Sequence, residues 1–151
     1  MTKTRAIAYW VATGVLAAGL LGSGIQQLSG LEAPGAMAPA YAWGMEELGF
    51  PSYLLTLLGV WKILGAVVLL VPGLPVIKEW AYGGCLFLLT GAAFSHFATG
   101  GAWYDYLPAL FLLMLGVLSW ILRPDSRRVA ALPWAGIGSL TRGPSAAATA
   151  Q

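Results

Sequence analysis

The sequence holds one cysteine, Cys85, and one histidine, His96. A single cysteine excludes an intrachain disulfide and a Cys-x-x-Cys redox relay. A single histidine excludes a bis-histidine haem and the usual histidine-cluster site, so no metal centre is expected. Also missing are a phosphate-binding glycine loop, a dinucleotide fingerprint, a nucleophile elbow and a His-Glu-x-x-His pair. Charge is scarce as well. Eight Lys and Arg against six Asp and Glu leave a net charge of +2, too small to point to nucleic acid as a partner.

Apolar residues fill the chain instead, at 58% hydrophobic against 9% charged. That balance lies outside the range of soluble domains and predicts a single compact membrane domain in a lipid bilayer. Four apolar runs are long enough to cross as helices: residues 6–25, 53–71, 80–97 and 107–122. The first is too long for the core of a signal peptide, and the A-x-A pattern at Ala40-Tyr41-Ala42 lies well beyond its end, so it reads as a span. Residues 26–52 are broken by Gly30, Pro34, Gly35, Pro39, Gly49 and Pro51 and form an outer loop, with one short interfacial helix expected over 40–48. The prolines of Pro72-Gly73-Leu74-Pro75 end the second span, and Lys78 falls in the turn that follows. Residues 124–151 read as a poorly ordered tail.

Alternating the loops places Lys3, Arg5, Lys78, Arg123, Arg127, Arg128 and Arg142 on one side. Glu32, Glu46, Glu47 and Asp105 fall on the other, with no basic residue beside them. Basic loops stay cytoplasmic, so both termini are expected there. The fold class is all-α, an integral membrane four-helix bundle with both termini cytoplasmic. Gly14, Ala18 and Gly22 recur every four residues and mark the expected close-packing face of the first span.

One charge breaks the apolar runs. Lys62 lies near the middle of the second span, where an ammonium costs about 2.5–3.5 kcal/mol on insertion scales and so should face protein or water. No acid stands inside a span at its level. It is an uncharged amine, or it bonds helix carbonyls near Gly59 or Gly65, or it meets a ligand that carries an anion or a carbonyl. Side chains lean toward the N-terminus of their helix. Lys62 therefore leans outward and His96, near the outer end of the third span, leans inward. The two are expected to converge in a cavity open to the outer face, with Gln26, Gln27, Asp105, Glu46 and Glu47 near its mouth.

Several stretches resemble the DoxX-like membrane proteins: Leu48-Gly49-Phe50-Pro51, Gly59-Val60-Trp61-Lys62-Ile63-Leu64-Gly65-Ala66, Pro72-Gly73, Lys78-Glu79-Trp80-Ala81-Tyr82-Gly83-Gly84 and Gly91-Ala92-Ala93-Phe94-Ser95-His96. The resemblance runs from about Tyr9 to Pro124. It implies a four-helix fold in the bacterial cell (inner) membrane, with Lys62 and His96 at polar positions inside the bundle. The family takes its name from a small membrane subunit of a thiosulfate:quinone oxidoreductase, which brings a quinone cofactor and a redox system into view.

Two functions follow. In the first, an outward-facing pocket binds a small lipophilic or quinone-like molecule, lined by Lys62, His96, Gln26, Ser95 and Asp105. Lys62 anchors it electrostatically and His96 exchanges a hydrogen bond or a proton, which makes these two the catalytic candidates if turnover occurs. In the second, the chain is a noncatalytic accessory or assembly subunit that packs against another membrane protein or a second copy of itself. A proton or ion pathway would need more polar groups in the cytoplasmic halves of spans two and three.

Overall fold

The computed structural model describes residues 2–29 and 49–129. Among them every regular element is helical: α1 (Lys3–Ser29), α2 (Ser52–Leu70), α3 (Pro75–Ala98) and α4 (Trp103–Leu122), then a 3₁₀ turn at Asp125–Arg127. All four long helices are long and apolar enough to cross a membrane. Glu32, Glu46, Glu47, the short helix expected over 40–48 and the tail from residue 130 lie outside the described residues.

Each helix starts earlier than its apolar run, and α1 and α3 also end later. The largest difference is in α3, which begins at Pro75 rather than at residue 80. Proline suits a first helical position, where its missing N–H has no partner to lose and its φ is already helical. The chain reverses just before it through Gly73 and Leu74, both at positive φ (75° and 55°). Lys78 consequently donates its backbone N–H to Leu74 O at 3.0 Å and belongs to the first turn of a helix, not to a loop. At the start of α4, Asp105 reaches back and accepts the Ala102 N–H at 2.7 Å, a capping arrangement that satisfies one of the helix's orphan donors. Packing also continues past Pro124, because Arg127 is buried.

Each helix packs against two others, so the four close a ring. The α1–α4 register is fixed by Thr13 against Ser119, Leu16 beside Gly116 and Gly19 against Leu112. Residue numbers rise on one helix as they fall on the other, so the pair is antiparallel. The centre holds Leu16, Ala17, Leu20, Ala66, Leu69, Cys85 and Leu89. Outward lie Trp10, Trp61, Phe87, Phe94, Phe111 and other large apolar side chains, all exposed. A continuous apolar exterior of this kind is a lipid-facing surface rather than the surface of a protein in water.

The close helix crossing is not where the small-residue stripe put it. Gly14 and Gly22 have no neighbour within 4 Å of where a side chain would start, and Ala18 is exposed. The tight contact is instead between Gly24 of α1 and Gly59 of α2. A Cβ on Gly24 would sit 2.9 Å from Gly59 O, and one on Gly59 would sit 3.0 Å from Gly24 O. Spacing alone does not distinguish a stripe facing lipid from one facing protein, since lipid tolerates small residues as well as a neighbouring helix does.

Below the apolar centre, toward the face where α1 begins and α4 ends, the termini face, three hydroxyls from three helices form a chain. Ser119 lies 2.7 Å from Thr13 Oγ1 and 2.7 Å from Tyr82 Oη, and Thr13 also donates to Tyr9 O at 2.7 Å. Ser119 is fully buried. Ser119→Ala takes a partner from two buried hydroxyls, of which Thr13 keeps its bond to Tyr9 O, and should lower stability by about 1–3 kcal/mol, read as a lower thermal midpoint in mild detergent.

Candidate functional site

Two polar layers lie at opposite ends of the bundle, separated by the apolar centre. They differ in how their charges are satisfied.

The layer at the termini face satisfies most of its charged donors within itself, though Arg123 Nη1 is buried without a hydrogen-bond partner among the described residues. The last carbonyls of α2 lack intrahelical donors and carry the negative end of the helix dipole. Lys78, completely buried, places its ammonium among them and donates to Val68 O, Leu69 O and Val71 O. Arg127 comes back from the 3₁₀ turn and donates to Leu69 O at 3.1 Å and to Tyr9 Oη at 3.1 Å. Its guanidinium also stacks over the Trp10 ring at 4.6 Å. Beside them Arg123 pairs with Glu79 at 2.7 Å, lies over the Tyr82 ring at 5.0 Å, and Glu79 accepts the Trp120 indole N–H at 3.0 Å. Burial of these charges is offset by carbonyls, a carboxylate and aromatic faces. Residues that the sequence offered only as orientation signals thus join all four helices. Counting helical spacing backwards from Leu89 through Cys85 and Tyr82 reaches Lys78, and that was the available signal.

The layer at the opposite face contains the residues singled out from the sequence. On α3 the buried stripe Lys78, Tyr82, Cys85, Leu89, Ala93 continues at helical spacing to His96, which is half-buried. On α2 the buried residues Gly59, Ala66 and Leu69 share their stripe with half-buried Lys62. On α4, Asp105 heads a buried stripe that continues through Gly116 and Ser119. Lys62, His96 and Asp105 therefore all lie on inward stripes at one end of the bundle, where burial gives way to partial exposure.

Two neighbourhoods can be distinguished there. Lys62 lies against α1: a Cβ on Gly24 would be 3.2 Å from Lys62 Cβ. Gln26 and Gln27, both half-buried, follow on the next turn of α1, and Gln27 Oε1 is buried without a hydrogen-bond partner among the described residues. His96 and Asp105 flank the α3–α4 turn on either side of Gly101, whose N–H donates to His96 O at 2.9 Å. A Cβ at Gly101 would meet His96 O at 2.7 Å and Asp105 Oδ2 at 3.2 Å. Ser95 turns its hydroxyl back to Gly91 O at 2.9 Å, which occupies its donor locally. Like Asp105, which caps α4, it is engaged with its own helix.

Lys62 differs from Lys78 in kind. It makes no hydrogen bond and no ion pair among the described residues. Three acceptors surround Lys78, whereas Lys62 stands half-buried with no acceptor among the described residues.

Comparison with known proteins agrees with the architecture. The model of the DoxX-like family matches residues 11–122, which take in all of α2, α3 and α4 and most of α1. No curated protein and no solved structure matches the chain. The match covers most of the chain and every membrane-spanning helix, and the chain belongs to the DoxX-like family.

Proposed function

We propose that the protein binds a small lipophilic, quinone-like molecule between its helices, at the end of the bundle opposite the termini. Lys62 is the anchor. The observation that carries this reading is the contrast between Lys62 and Lys78, since an ammonium on an inward stripe with no acceptor among the described residues is stabilised by whatever acceptor enters beside it. A quinone carbonyl or an anionic oxygen provides one, and the apolar rim of the bundle takes the rest of such a molecule. His96, one helix away at the same end, is the second polar contact and the group able to pass a proton. Gln26 and Asp105 line the entrance. With the basic residues gathered at the termini face, we place both termini in the cytoplasm of a bacterial cell and the site toward the outer side of its inner membrane. In this reading the protein works as a component of a redox system.

A short-chain benzoquinone, titrated into the detergent-solubilised full chain and followed by quenching of tryptophan fluorescence, tests the assignment. Wild type should saturate, and Lys62→Leu should bind at least about tenfold more weakly, the loss of one charge-assisted hydrogen bond. Equal affinity in the two proteins, or no saturable binding in wild type, overturns it.

A further inference from the structure

Not all the basic residues of the termini face are consumed in its interior. Arg5 at the start of α1 and Arg128 just beyond the 3₁₀ turn both remain exposed, and they converge on a single acceptor. Arg5 Nη2 donates to Ile121 O at 3.3 Å and Arg128 Nη2 to the same oxygen at 3.0 Å. Arg128 is held in place by a second bond, Nε to Arg123 O at 3.1 Å. Two donors on one carbonyl oxygen lie within about 6 Å of each other, so two like charges are held side by side.

Little on the protein compensates them. Arg5 has no ion pair among the described residues. Among the described residues Arg128 pairs only with Asp125, at 3.8 Å and fully exposed, a geometry of small energetic weight, while the Glu79 carboxylate that also attracts it is already engaged by Arg123 at 2.7 Å. One half-negative helix end does not neutralise two guanidiniums. Each keeps N–H groups that Ile121 O does not use, and an anionic oxygen pair spanning a few ångströms is what such a fork recognises.

The surroundings identify the anion. Arg5 and Arg128 sit at the ends of α1 and α4, at the level where the apolar helices meet the headgroup zone. At the same end of the bundle Ile121, whose carbonyl the two arginines share, and the rings of Trp10 and Trp120, beside Arg127 and Arg123, are exposed, an aromatic and aliphatic surface suited to the interface and to acyl chains. A phosphate with a hydrophobic tail satisfies both parts at once.

We propose that Arg5 and Arg128 form a binding site for the phosphate of an anionic phospholipid in the leaflet on the termini face, with its chains along Trp10, Trp120 and Ile121. This site is separate from the Lys62 layer, lying beyond the apolar centre.

The test uses the full chain in nanodiscs of equal phosphatidylglycerol and phosphatidylcholine, released into native mass spectrometry. Wild type should retain phosphatidylglycerol over phosphatidylcholine by about tenfold, as two guanidiniums near an anionic headgroup would give. The Arg5→Gln/Arg128→Gln double variant should lose the preference. Arg5→Gln alone leaves the Arg128 bonds to Arg123 and Ile121 intact, and it should reduce the preference several-fold even where the double variant fails to fold. Retention unchanged by excess inorganic phosphate is expected for a headgroup site with chain contacts. Displacement by phosphate, equal retention of the two lipids, or an undiminished preference in Arg5→Gln overturns the proposal.

Discussion

Lys78→Leu should destabilise the bundle by about 3–5 kcal/mol, the cost of breaking a buried charge from its partners, and most of the variant should fail to accumulate in the membrane. The lysine is wholly enclosed and its ammonium is shared among Val68 O, Leu69 O and Val71 O. Leucine fills a similar volume but leaves the end of α2 with carbonyls that neither water nor lipid reaches, each costing about 1–3 kcal/mol when stranded. Arg127 remains on Leu69 O and moderates the loss without removing it. Lys62→Leu, by contrast, removes a charge with no partner among the described residues and should leave the thermal midpoint unchanged or higher. Thermal denaturation of the two variants in the same detergent measures the difference directly. A Lys78→Leu protein as stable as wild type would contradict the structural role given to this residue.

The second large effect is expected at the α1–α2 crossing. Gly24→Leu pushes a branched side chain toward Gly59 O, which already lies 2.9 Å from where the first added carbon would sit, and toward Ile63 Cγ1 at 3.0 Å. A backbone carbonyl cannot swing aside as a flexible side chain can, so the helices must separate. The penalty should reach about 3 kcal/mol, the upper part of the overpacking range. Separation would also move Lys62, whose Cβ lies 3.2 Å from the same point. Gly24→Leu is therefore expected to lower both thermal stability and quinone binding. Gly22→Leu, two residues away and with nothing within 4 Å, should change neither. Parallel melting curves of the two variants check this, and equal behaviour would contradict the crossing.

The four helices were legible in the sequence because membrane spans announce themselves by length and hydropathy, with few competing explanations for so many consecutive apolar residues. Orientation of individual side chains was less accessible. The Gly14, Ala18, Gly22 stripe has the spacing of a packing face, yet it points away from the bundle, and the contact is made by Gly24 and Gly59. Lys78 was hidden by its neighbours: Pro-Gly-Leu-Pro looks like a loop that holds the following residues outside the membrane. In fact Pro75 opens the helix, and Lys78 turns inward three residues later, in the first turn. Arg123 and Arg127 were counted as charges for topology, although the same residues fill the interior of the termini face. Such a network depends on which helix end meets which side chain, information that lies in the tertiary arrangement and not in any local pattern. Lys62 was legible for the opposite reason, since a lone charge in an apolar run needs no neighbour to be conspicuous.

At the candidate site Lys62, His96 and Asp105 lie on inward stripes at one end of the bundle, Lys62 against α1 and the other two at the α3–α4 turn. The sequence did not anticipate that Asp105 caps the start of α4 through the Ala102 N–H, or that Ser95 spends its hydroxyl on Gly91 O. These local bonds reduce what the two residues offer a ligand and leave Lys62 as the principal donor.

Native mass spectrometry of wild type and Lys62→Leu, each extracted gently from its own membrane and paired with analysis of the extracted lipophilic fraction, tests the central claim most directly. The account predicts that wild type carries a small molecule with a carbonyl or anionic oxygen, and that the variant, equally folded, does not. A wild-type protein that is free of any small molecule and travels with a second polypeptide, or a variant that retains the same molecule, would contradict it.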